Sequence, residues 1–137
     1  MNRKKILIVD DSPVILKAFS MKLHASGYDV LTAEDGSTAV SLARQQKPDL
    51  ILLDINFPPD VAHGGGVAWD GFLIISWLRR MDEARDTPII IISGCDPAKY
   101  KERALAAGAA GYFQKPVEPE QLLPAIREAL GEVASQT

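Results

Sequence analysis

The 137-residue sequence has a single cysteine, Cys95, and only two histidines, His24 and His63. One cysteine excludes an internal disulfide and any metal site built from several thiolates, and it fits a reducing cytoplasm. Neither histidine has sequence neighbours that suggest catalysis: His24 falls on the surface of the first helix and His63 in a loop. No apolar run approaches the roughly 20 residues that a membrane span requires. The start, "MNRKKILIVDD", is basic, but acids interrupt its apolar stretch too early for a signal peptide. Charge excess is also missing. Fifteen basic and 18 acidic residues leave a net charge of −3, which gives no reason to expect non-specific binding to nucleic acid or anionic membranes. There is no internal repeat and no low-complexity tract. What is present is enough apolar material, 47% of the residues, for one sizeable core in a chain of single-domain length.

Two periods alternate along the chain. Short runs rich in Ile, Val and Leu read as strands buried on both faces: Ile6–Val9, Leu50–Leu53 and Ile89–Ile92, with weaker candidates at Tyr28–Thr32 and Ala110–Phe113. Segments of helical spacing lie between them. The first opens on Ser12 as N-cap with Pro13 at the first helical position, shows the face Ile15, Phe19, Leu23, and stops at Gly27. The second runs from about Gly36 to Gln46. The third covers Phe72 to Met81, with Phe72, Ile75, Leu78 and Leu73, Trp77 on adjoining faces. The fourth opens at Asp96-Pro97 and closes at Gly108. The fifth opens near Glu118-Pro119 and carries Leu122, Ile126, Ala129 and Leu130. Five β-α repeats with strands apolar on both sides predict an α/β fold, a parallel sheet with helices on both faces. Ligands of such sheets bind beyond the carboxyl ends of the strands.

The residues at those ends carry the chemistry. Asp10 and Asp11 follow the first strand, Asp54 the third, Ser93 ends the fourth, and Lys115 follows the fifth. Three carboxylates at one edge repel one another by about 4 kcal/mol per pair at ~4 Å and an effective dielectric of 20. A proton or a cation must intervene. Oxygen donors without a His or Cys cluster suit a hard ion, and Mg²⁺ is the natural one, since it takes one or two carboxylates, several waters and a phosphate oxygen. An Asp carboxylate can act as a nucleophile toward a phosphoryl group, and Asp54 stands alone at the centre of the edge. Lys115 and Ser93 would then face the developing charge on the phosphoryl oxygens. The bland readings are helix-capping acids for Asp10 and Asp11, a loop cap for Ser93, a solvated turn lysine for Lys115 and strand packing for Tyr112.

The acid pair, the central acceptor Asp, the hydroxyl in "IIISG", the lysine before proline in "YFQKP" and the aromatic Tyr112 three residues before that lysine occur in a fixed order. Together they resemble the receiver domain of the two-component response-regulator family, over about Lys4 to Leu130. The resemblance implies a flavodoxin-like, doubly wound domain with five parallel strands in the order 2-1-3-4-5 flanked by five helices. It implies one receiver domain over residues 1–137 with its core in 4–130. It further implies that Asp54 accepts a phosphoryl group from a histidine kinase or phosphotransfer protein. Mg²⁺ would be held by Asp11 directly, by Asp10 mostly through water, by Asp54 and by the backbone carbonyl of Asn56. Ser93 and Lys115 would contact the phosphoryl oxygens, and Ser93 and Tyr112 would form a switch that alters the face of helix four, strand five and helix five. The output would be contact with a downstream protein or the rest of a longer regulator, without direct nucleic-acid or membrane binding, and a phosphorylation-linked homodimer is compatible with it. The tail "GEVASQT" is too short for an effector domain, so a stand-alone receiver and one cut from a longer protein are both open.

The chain departs from the family after the acceptor. "FPP" follows, and the next Asp-Gly is Asp70-Gly71, so the loop 57–70 carries roughly nine extra residues. It contains three consecutive glycines, Gly64 to Gly66, and has three readings: a tolerated surface insertion, a docking surface with Trp69 as anchor, or a lid bringing His63 or Asp60 near the metal. Two other functions compete. A phosphohydrolase of the haloacid-dehalogenase kind resembles Asp-x-Asp, but here Asp54-Ile55-Asn56 lacks the second acid needed to donate and reclaim a proton. A flavin module would need phosphate-cradling donors after the first strand, where Asp10 and Asp11 repel phosphate.

Overall fold

In the computed structural model, residues 4–10, 12–54, 71–82, 84–93, 97–114 and 117–131 are described. The elements alternate as β1 (Lys5–Val9), α1 (Pro13–Ala25), β2 (Asp29–Ala33), α2 (Gly36–Gln46), β3 (Leu50–Asp54), α3 (Gly71–Arg80), β4 (Ile89–Ser93), α4 (Pro97–Ala106), β5 (Gly111–Gln114) and α5 (Pro119–Ala129). The strands form one parallel sheet in the order β2-β1-β3-β4-β5. This is the doubly wound order that the family resemblance implied.

The alternation of side chains along each strand divides the core in two. Leu7, Val9, Ile51, Leu53, Ile89 and Ile91 pack with residues of α2, α3 and α4 on one face. Ile6, Ile8, Leu50, Leu52, Ile90 and Ile92 pack with α1 and α5 on the other. Strands apolar at every position are what a sheet covered on both faces requires.

Local signals fix the starts of three helices. Ser12 caps α1, its hydroxyl accepting from the Ile15 N–H at 3.3 Å, with Pro13 at the start of the helix. Asp35 caps α2 by accepting from Thr38 N–H at 2.7 Å. Glu118 N–H donates to Gln121 Oε1 at 2.7 Å at the start of α5. Two strands begin one residue later than the sequence suggests. Tyr28 belongs to the closing turn of α1, its N–H donating to Leu23 O at 3.1 Å around Gly27, whose φ of +104° suits glycine. Ala110 likewise precedes β5, donating to Ile89 O. Two helix faces also differ from their patterns. Leu16 joins Phe19 and Leu23 in the α1 core, while Ile15 is only partly buried. On α3, Ile74, Ile75 and Leu78 are buried, whereas Trp77 is 44% exposed; the expected contributions of Phe72 and Leu73 lie outside the described side chains.

Candidate functional site

Buried polar side chains are costly, so their positions are informative. Four are present among the described residues: Asp10, Asp54, Thr87 and Ser93. Three of the four lie at the carboxyl ends of the three central strands. Val9 is level with Leu53, and Asp54 with Ile92. Asp10 therefore stands one step beyond β1, beside Asp54 at the end of β3, with Ser93 one step further on β4. Adjacent strands are about 4.8 Å apart, so the sheet itself brings together residues 10, 54 and 93.

Asp10 and Asp54 are each 3% exposed. Both share the strand parity of the α1–α5 face, and both line one cleft of about 540 Å³. Most of the remaining wall is apolar, with Ile15 and Phe19 from α1 and Ile92 from β4. Val117 and Glu118, which follow the Lys115-Pro116 pair in sequence, line the same cleft. Asp10 also organises the entry to α1. Its N–H continues the ladder to Ala33 O at 3.1 Å, and its Oδ1 accepts the Ser12 N–H at 3.0 Å. The capping reading and the site reading of Asp10 are thus compatible, because a carboxylate has further lone pairs to offer.

Ser93 is fully buried and has the opposite strand parity, toward α3 and α4. Tyr112 on β5 is level with Ile91, two positions before Ser93, and packs against that same cluster. The hydroxyl residue and the aromatic residue therefore share one face on neighbouring strands. Asp11, Asn56 and Lys115, with the loop 57–70, Cys95 and Pro116, lie outside the described residues. Sequence reasoning missed the cleft wall. The i, i+4 pair Ile15 and Phe19 carries the helical period that would have marked it, but Val117 and Glu118 carry no such signal.

The family model for the response regulator receiver domain matches residues 6–127. The chain belongs to this family. Receiver domains are signalling domains of two-component systems, working with histidine kinases and downstream effectors, and phosphorylation and Mg²⁺ binding are typical of them. The receiver is 37% identical over 126 residues to protein PilH of Pseudomonas aeruginosa, covering 92% of this chain and 97% of PilH. It is 35% identical over 126 residues to the DNA-binding dual master transcriptional regulator RpaA of Synechocystis, covering 92% of this chain but only 48% of RpaA. The receiver thus spans about half the length of that relative. Among solved structures, the chemotaxis response regulator CheY4 of Vibrio cholerae superimposes with a TM-score of 0.80 at 32% identity, over 93% of this chain and 99% of that one. The receiver domain of the Pseudomonas aeruginosa sensor histidine kinase PA1611, solved with a magnesium ion in its active-site cleft, gives 0.79 at 27% identity, over 95% and 99%.

The donors in the cleft fit such an ion. Two buried carboxylates from adjacent strands offer hard oxygen ligands, which is the protein share that Mg²⁺ usually takes. Among the described residues no group of three or more His, Cys, Asp or Glu is gathered to hold a metal, so the carboxylates of Asp10 and Asp54 are the described part of the site. No helix among the described residues is long and apolar enough to cross a membrane.

Proposed function

We propose that this receiver accepts a phosphoryl group on Asp54 from a histidine kinase or phosphotransfer protein and converts that event into a change of its α4–β5–α5 face. The reading is carried by one observation: Asp10 and Asp54, buried on adjacent strands, open into a single cleft at the carboxyl edge of the sheet. In the transfer, an Asp54 carboxylate oxygen bonds to phosphorus as the bond from phosphorus to the donor histidine nitrogen breaks, and the nitrogen keeps the electron pair. Asp10, Asp11, Asp54 and the Asn56 carbonyl would hold Mg²⁺, which when bound offsets the negative charge of the carboxylates and the phosphoryl oxygens. Lys115 and Ser93 meet the remaining phosphoryl oxygens. The apolar wall of Ile15, Phe19 and Ile92 limits water beside the acyl phosphate.

Ser93 and Tyr112 form the switch. Movement of the hydroxyl toward the phosphoryl group opens room on the α3–α4 face, which the Tyr112 ring enters. The added charge biases a two-state element, and the altered face binds a downstream protein. The chain acts as one receiver domain over 1–137, with its core in 4–130, in the cytoplasm, as a phosphoacceptor that gives up its phosphoryl group to water and not as a turnover enzyme. Incubation with acetyl phosphate and Mg²⁺ should add the mass of one phosphoryl group, and Asp54→Ala should abolish the gain. A mass gain that survives in Asp54→Ala would refute the assignment.

A further inference from the structure

Arg79, in the last turn of α3, donates to four main-chain carbonyls. Its Nη1 lies 3.1 Å from Ala84 O, 3.1 Å from Arg85 O and 2.9 Å from Thr87 O, and its Nη2 lies 3.1 Å from Gly108 O. One guanidinium thus ties together the end of α3, the lead-in to β4 and the turn between α4 and β5. Gly108 is held to that role twice over. Its φ is +104°, and a Cβ there would stand 3.2 Å from Arg79 Nε. The corner has its own main-chain bonds: Ala107 N–H to Ala104 O, Gly108 N–H to Leu105 O, Ala109 N–H to Ala104 O and Ala110 N–H to Ile89 O, at 2.7–3.1 Å. Ala104 anchors the helix in the core. Partial burial pulls the Arg79 pKa below its ordinary value against the opposing Asp86 charge, and four carbonyl dipoles face the partly desolvated cation.

This corner lies at the amino end of β4, and Ser93 lies at its carboxyl end, about 13 Å away at ~3.3 Å per residue. The segment from Ser93 through α4 to Tyr112 is therefore clamped at one place and proposed to move at another. We infer that Arg79 is a positioning residue of the switch: its fork pins the α4–β5 corner, so the response to phosphorylation is taken up at the Ser93 end and in Tyr112. Lysine cannot replace it, because a compact ammonium lacks the planar fork that reaches carbonyls on two sides.

The inference rests on the phosphoacceptor role of Asp54, and hydrogen exchange with and without beryllofluoride and Mg²⁺ separates the two. In the wild type, the ligand should alter exchange around Ser93 and Tyr112 and leave the amides of residues 107–110 within about twofold. In Arg79→Lys, those four amides should exchange about tenfold faster and should change a further threefold or so when the ligand binds. Arg80→Lys, one position along and exposed, should behave as the wild type. Gly108→Ala approaches the clamp from the acceptor side and should reproduce the ligand-dependent change if Arg79→Lys does not fold. Faster exchange that is indifferent to the ligand would make Arg79 a brace only and overturn the inference, as would unchanged exchange. A wild type without any response would overturn the phosphoacceptor role and this inference together.

Discussion

Ser20, on the inner side of α1, has a buried hydroxyl oxygen with no hydrogen-bond partner among the described residues. A buried hydroxyl without a partner loses its hydration and gains nothing in return. Ser20→Ala should therefore raise stability, by up to about 1 kcal/mol, and urea unfolding should show a higher midpoint at unchanged slope. A lower midpoint would mean that the hydroxyl is satisfied in solution. Asp10 is the opposite case. It is buried, yet its Oδ1 accepts the Ser12 N–H, so Asp10→Ala should both loosen the entry to α1 and weaken Mg²⁺ binding. Fluorescence or calorimetric titration should show at least a tenfold loss of affinity for the ion. The placement of Asp10, Asp54 and Ser93 at the carboxyl edge of the sheet was legible in the sequence because each closes an apolar run. Arg79 was not legible. Its acceptors are main-chain carbonyls, which every residue supplies and no letter distinguishes.

Helices α1 and α5 cover the same face of the sheet and are joined at the surface by Lys22 Nζ and Glu120 Oε2, 2.8 Å apart. The hydrogen bond from Lys22 holds the Glu120 carboxyl below its ordinary pKa of 4.5. A carboxyl whose folded pKa is depressed stabilises the fold above its unfolded value and loses that contribution as pH falls through the folded pKa. The difference in melting temperature between wild type and Glu120→Gln should thus be present at pH 7, shrink below about pH 4.5 and also shrink in high salt, because both partners are exposed. A difference that grows on acidification would contradict the pairing. Further along α5, Pro124 lies inside the helix, where it lacks an N–H and crowds the preceding turn. The helix was still legible, because Leu122 and Ile126 keep the helical period on its inner face and Gln121 closes the first turn on Glu118. Trp77 misled for the converse reason. Its spacing from Leu73 put it on a face adjoining Ile75 and Leu78, but α3 turns Ile74, Ile75 and Leu78 inward and leaves that ring at the surface, since the buried stripe of a helix covers only part of its circumference.

At the scale of the molecule, the fold was readable because one pattern excludes the alternatives. Strands apolar at every position cannot lie at a solvated face, and ten alternating elements leave the doubly wound sheet as the arrangement that covers both sides. The strand order was another matter: it followed from family likeness, since periodicity says that strands pair and not with whom. The resulting core is two clusters separated by the sheet, and this has an energetic consequence. Ile75 on α3 belongs to one cluster and Ile126 on α5 to the other. Each is essentially inaccessible to solvent, so Ile75→Val and Ile126→Val should each cost about 0.5–1.5 kcal/mol. No described residue belongs to both clusters, so the double variant should cost the sum to within about 0.5 kcal/mol. Both clusters rest on the same five strands, however, so the double variant should still unfold in one transition, with fluorescence and circular dichroism coinciding. Two resolved transitions would mean that the faces of the sheet melt independently, and a coupling energy above about 1 kcal/mol would mean that strain crosses the sheet from one cluster to the other.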